Sequence, residues 1–131
     1  TVPVYEGRAV RHAATQLNIG GRHLTEHLIQ LLSRYQFTTS SERLILRDIK
    51  ERLCRVAPSA AHAADYHREK TFELPDGLVI SMEGEVEMCP EALFQPLLLQ
   101  VPEGAKPTAS TEPVGIHECV YNSIMKVPYF W

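Results

Sequence analysis

Cysteine is scarce in this chain: three residues of 131, at Cys54, Cys89 and Cys119. They lie 35 and 30 residues apart, a spacing that makes neither a zinc knuckle nor a disulfide framework. The odd count predicts free thiols in a reducing compartment. Long apolar runs are missing too. Stretches such as Leu97-Leu98-Leu99 fall far short of the roughly 20 residues that a membrane-spanning helix requires. There is no surplus of positive charge: the formal balance is −3, and no Lys/Arg run suggests a surface that follows nucleic-acid phosphates. No Gly-rich phosphate cradle occurs anywhere in the sequence. No charged-then-apolar leader opens it, so a cytoplasmic protein is the default expectation.

What is present is ordinary globular material. A hydrophobic fraction of 44% with 22% charged residues over 131 positions suits one domain with a core of its own. Val2 to Tyr5 reads as a short strand ended by Glu6-Gly7, and a weaker extended stretch spans about 9–17. Gly20-Gly21 frees the backbone before a helix over about 22–34, where Leu24, Leu28, Leu31 and Leu32 share one face. Thr39, followed three residues later by Glu42, is a capping-box pattern that opens a second helix. The stretch 58–68 is Ala- and His-rich, with weak signals for a short helix or loop. Phe72-Glu73-Leu74, the turn Pro75-Asp76-Gly77, and Leu78 to Met82 form the best hairpin pattern in the chain. Glu83-Gly84 makes a further turn, and Pro90 suits the first position of a short helix that Pro96 stops. Residues 102–113 read as a loop rich in Pro, Ala and Thr. A last helix spans about 116–126, with Ile116, Val120 and Ile124 on one face.

The second helix carries the most chemistry. Ile45, Leu46, Ile49 and Leu53 fall within roughly a 100° arc, while Arg47, Lys50 and Glu51 gather opposite, toward solvent or a ligand. Arg47–Glu51 and Asp48–Arg52 are i,i+4 pairs, each supporting the helix by a few tenths of a kcal/mol, roughly. A rival pattern lies earlier. His23-Leu24-Thr25-Glu26-His27 spells H-x-x-E-H, which on a helix offers two nitrogen ligands at i, i+4 and a nearby base for a zinc-dependent peptidase. A third ligand would have to come from Glu103 or Glu112 in the Pro-rich loop, a poor rigid support. A polar helix face explains the same residues.

Several blocks, taken in order, resemble the actin family. They are Val2 to Gly7; Gly21-Arg22 with Leu24-Thr25; Glu42-Arg43; Arg47-Asp48-Ile49-Lys50-Glu51; and Leu53-Cys54. Further on come Glu73-Leu74-Pro75-Asp76-Gly77, the run Cys89 to Pro96, Gly115-Ile116-His117-Glu118, and Asn122 to Lys126. The resemblance covers residues 1–126. It implies an α/β, actin-like ATPase (ribonuclease-H-like) fold, represented by its central-to-C-terminal part. Residues 1–19 would begin an inner-domain fragment, and 20–101 would form the outer small subdomain on the adenine side of the nucleotide cleft. Residues 102–131 would supply an inserted loop, an inner-domain helix and a divergent tail.

The resemblance also implies a cofactor, ATP or ADP with Mg or Ca, and names Arg47, Lys50, Glu51 and Gly21 as its adenosine-side contacts. The family's phosphate loops would lie before Thr1 and its later Gly-rich turn beyond Trp131, so weak nucleotide affinity and no hydrolysis by the chain alone are expected. Protein partners or self-assembly through actin-like contacts are implied, in the cytoskeleton or, for an actin-related protein, the nucleus. The sequence departs from the family at His23 and Glu26, at His27 where an aromatic is usual, in the longer loop before Gly115, and in the tail 127–131.

Overall fold

The computed structural model describes residues 1–57, 69–99 and 114–127. The chain opens with a minimal hairpin, β1 (Val4–Tyr5) against β2 (Arg8–Ala9), in antiparallel register Val4 to Ala9 and Tyr5 to Arg8. Its two-residue turn has positive φ at both Glu6 (47°) and Gly7 (77°), the hand that matches strand twist. A 3-10 turn over Arg11–Ala13 follows in place of the extended stretch that the sequence suggests. Helix α1 (Gly21–Leu31) and a 3-10 turn, Ser33–Tyr35, occupy the predicted 22–34.

Helix α2 (Ser40–Leu53) starts as its sequence requires. Thr39 accepts the Glu42 N–H at 3.2 Å, while the Glu42 carboxylate accepts the N–H groups of Thr39 (2.6 Å) and Thr38 (2.7 Å). Three N–H groups at the helix entrance are thereby satisfied. Strands β3 (Lys70–Glu73) and β4 (Val79–Met82) pair antiparallel, Phe72 opposite Ile80. Gly77, at φ 87°, closes the turn. Ile80 and Met82 point into the core on alternate positions.

Helix α3 (Glu85–Glu91) corrects the expectation for Pro90. The proline sits near the end of this helix rather than at its start. It has no N–H to give to the carbonyl four residues back, that of Val86, and this carbonyl instead accepts the Arg55 N–H at 3.1 Å. The proline therefore frees a bond that ties the exit of α2 to α3. Pro96 opens a 3-10 turn, Pro96–Leu98.

Helix α4 (Ile116–Met125) lies where expected, but buries a different face. Cys119, Ser123 and Val127 are buried, whereas Val120 and Ile124 are 42% and 46% exposed. The reason is its neighbour, the N-terminal segment. Ser123 Oγ donates to the Ala13 carbonyl (2.7 Å) and Thr15 Oγ1 to that of Cys119 (3.1 Å), so small residues must lie between the two backbones. Gly115 precedes the helix, and a Cβ there would run into the Phe94 carbonyl.

The main core joins α1, α2, α3 and the β3–β4 hairpin through Leu24, Leu28, Leu32, Leu46, Ile49, Ile80, Met82 and Val86. No helix among the described residues is long and apolar enough to cross a membrane. The stretches 58–68 and 102–113, with Glu103 and Glu112, and the tail after Val127 lie outside the described residues.

Candidate nucleotide-side pocket between α1 and α2

Leu46 and Ile49 are fully buried, which fixes the roll of α2 and sends Arg43, Arg47, Lys50 and Glu51 toward the start of α1. There, with Gly21, Arg22, Thr25, Glu26 and Leu44, they line an open pocket of about 530 Å3. The four residues singled out in the sequence, Gly21, Arg47, Lys50 and Glu51, are thus brought together although Gly21 and Lys50 stand 29 positions apart.

Lys50 is half-buried and anchored. Its Nζ donates to the Gly21 carbonyl at 2.8 Å and to Thr25 Oγ1 at 3.1 Å, and Thr25 in turn donates to the same carbonyl at 3.0 Å. Among the described residues two of the three ammonium hydrogens are therefore engaged, leaving one for a ligand. Gly21 favours this closeness, since a Cβ would stand 3.2 Å from the Lys50 nitrogen and push it back by a few tenths of an ångström. Arg47 Nε donates to Glu51 Oε1 at 2.9 Å. That hydrogen bond, with the charges of Arg47 and then Lys50, holds the Glu51 carboxyl below the usual carboxylate range, and Glu51 reciprocally raises the Arg47 guanidinium. Among the described residues Arg47 alone bonds the carboxylate, leaving Oε2 as an acceptor. At the rim, Arg43 and Glu26 face each other at 3.9 Å.

The pocket offers four cations, two carboxylates and an exposed leucine. Such a lining can grip a polar, ring-bearing ligand: ammonium and guanidinium donors for ring nitrogens and hydroxyls, a carboxylate for hydroxyl donors, and Leu44 for an apolar face. It is a poor cradle for a hard divalent cation, because both carboxylates face arginines and cations outnumber them. Thr25, Arg43, Glu26 and Leu44 were not named from the sequence as contacts of this pocket. The signal was there: Thr25 follows Gly21 by one helical turn, and Arg43 precedes Arg47 by one.

The H-x-x-E-H residues are employed otherwise. His23 Nδ1 accepts the Gly20 N–H at 3.1 Å, closing the start of α1. Glu26 faces Arg43, and His27 is buried at 7% exposure. No group of three potential ligands gathers among the described residues.

The described residues form packed helices and two short hairpins with a pocket between α1 and α2, and comparison with known sequences gives the family. A family model described as Actin matches residues 1–129, and the chain belongs to the actin family. A curated relative, "Putative actin-29" from Dictyostelium discoideum, is 35% identical over 138 residues, covering 98% of this chain and 33% of its own length. The chain thus spans about a third of the relative that it matches. Family membership brings the actin-like ATPase fold, in keeping with the mixed helices and strands described above.

Proposed function

We propose that this chain carries the adenosine-binding side of an actin-type nucleotide site, with Arg47, Lys50, Glu51 and Gly21 as contacts. The observation that carries the reading is the single pocket that joins all four. Lys50 and Arg47 donate to adenine or ribose oxygens and nitrogens. Glu51, kept ionised by Arg47, accepts from ribose hydroxyls, and Gly21 leaves room for close approach. The phosphates carry most of the charge by which ATP is recognised, and these 131 residues contain no Gly-rich loop to hold them. A divalent cation belongs with the phosphates, and the donor set here does not suit one. The chain alone therefore binds nucleotide weakly and does not hydrolyse it.

Residues 20–101 form the outer small subdomain in this reading, and 1–19 with 102–131 are parts of the inner domain. Two observations support the division: among the described residues the main core draws only on those between Leu24 and Leu99, and the N-terminal segment bonds to α4. The physiological role is that of a cytoskeletal actin or an actin-related scaffold, assembling with protein partners or with itself, in the cytoplasm or nucleus.

Calorimetric titration of the full chain with adenosine, ADP and ATP, with and without magnesium, tests the site. Adenosine and ATP should bind with similar, weak affinity that magnesium does not change, and Glu51→Ala should abolish both. Micromolar, magnesium-dependent ATP binding would refute the claim that the phosphate side is missing. Unchanged adenosine binding in both Glu51→Ala and Lys50→Ala would refute the assigned contacts.

A further inference from the structure

Three groups in the α1–α2 pocket close a ring of hydrogen bonds. The Thr25 hydroxyl gives its one hydrogen to the Gly21 carbonyl at 3.0 Å, one helical turn back. Its lone pairs are thereby left for a donor, and the Lys50 ammonium fills that place at 3.1 Å. The same ammonium also reaches the Gly21 carbonyl, at 2.8 Å. That carbonyl is steadied by the closed start of α1, where the Gly20 N–H bonds His23 Nδ1 at 3.1 Å and the Leu24 N–H bonds the Gly20 carbonyl at 3.3 Å.

The other pocket cations are held differently. Arg47 pairs with Glu51 along its own helix, and Arg43 meets Glu26 at 3.9 Å. Among the described residues, Lys50 is the one pocket cation bonded to uncharged groups of the opposite helix. A four-carbon side chain tethered to one oxygen can swing about it. Tethered to two, its ammonium has a fixed direction, and the remaining N–H has one way to point.

We propose that Thr25 is a positioning residue for the ligand of this pocket, acting through Lys50 to aim the free N–H before the ligand arrives. The inference rests on the adenosine reading above. Thr25 itself touches no ligand atom in this role. Its effect is that Lys50 has less freedom left to lose on binding. The branched side chain helps, because a second heavy atom on Cβ restricts the rotation that would carry the hydroxyl away.

Two measurements on the full chain test this. In the first no ligand is present. Lysines are acetylated with limiting acetic anhydride, and the rate at half-buried Lys50 is read by peptide mass spectrometry against that at exposed Lys126. Thr25→Val keeps the branched shape and removes the hydroxyl, so it should speed labelling of Lys50 about fivefold, the worth of one hydrogen bond. Thr25→Ser should keep the wild-type rate. In the second, calorimetric titration with adenosine should show binding about fivefold weaker in Thr25→Val and restored in Thr25→Ser. Placed on top of Lys50→Ala, Thr25→Val should weaken adenosine binding no further, since the residue through which it acts is gone. Circular dichroism checks the fold of each variant. Equal labelling of Lys50 in Thr25→Val and wild type overturns the proposal. So does faster labelling with unchanged adenosine affinity, or an undiminished loss of affinity in the Lys50→Ala background, which would make Thr25 a direct contact. A wild-type chain that ignores adenosine would refute the adenosine reading instead, and the labelling rate would then decide alone for or against the hold on Lys50.

Discussion

His27 offers the sharpest test of how this core is built. Its ring is 7% exposed, and neither nitrogen meets a hydrogen-bond partner in good geometry among the described residues. The Gln30 side chain approaches closely enough to favour the cation slightly, but burial is the stronger effect and pushes the imidazole below its ordinary value of 6.5. As pH falls through 6.5, the unfolded chain takes up a proton here that the folded chain refuses. Stability then declines by up to about 1.4 kcal/mol per pH unit until the folded-state value is reached, and above about pH 7.5 the effect vanishes. Replacing His27 by phenylalanine removes both the titration and two unsatisfied polar atoms. Leaving such atoms buried costs about 1–3 kcal/mol, from which the strain of fitting a larger ring must be subtracted. The expected net gain is about 1 kcal/mol near neutral pH, estimated from those two effects, and larger below pH 6. Urea unfolding of both chains at several pH values, followed by circular dichroism, measures it. If His27→Phe keeps the wild-type decline between neutral and mildly acidic pH, the histidine is not the source and the reasoning fails.

Two smaller effects can be read with the same unfolding assay. Thr39→Ala removes the acceptor for the Glu42 N–H and should cost about 1 kcal/mol. The Glu42 carboxylate, held below its usual range chiefly by the hydrogen bonds from Thr39, contributes fully above the ordinary carboxylate pKa and is lost as pH falls through its depressed value. A stability difference between Glu42→Ala and wild type that persists undiminished in strong acid would count against the carboxylate half of the cap. Gly115→Ala drives a methyl group into the Phe94 carbonyl and the His117 ring, so a loss of about 1–3 kcal/mol is expected. An unchanged unfolding midpoint would show that this turn can move aside.

What the sequence disclosed depended on whether the deciding partner was local. The Thr39–Glu42 box and the Pro75–Gly77 turn are complete within a few residues, and both formed where their chemistry demanded. Pro90 misled because a proline is as compatible with a helix end as with its start, and the group that decides, the Arg55 N–H, is far along the chain. The face of α4 misled for a related reason. Periodicity favoured Ile116, Val120 and Ile124, but the neighbour is a backbone segment approached through hydrogen bonds, which selects Cys119 and Ser123. The pocket was legible from the family blocks rather than from spacing. Read alone, Arg47 and Glu51 are the solvated pair that the structure also shows, with side chains 65% and 55% exposed. Only the burial of Lys50 against Gly21 and Thr25 distinguishes that face from an ordinary one.

The absent N–H of Pro90 has a further meaning. Its contribution is exerted elsewhere, through an acceptor that it leaves vacant for Arg55. Any residue with an N–H at position 90 would be an improvement by local helix standards, completing the bond within α3. It would also set two donors competing for one carbonyl, and so loosen the place where the chain leaving α2 is fastened. A substitution that makes α3 a better helix is therefore expected to weaken the join between the exit of α2 and α3, so that local regularity and long-range alignment oppose each other at a single position.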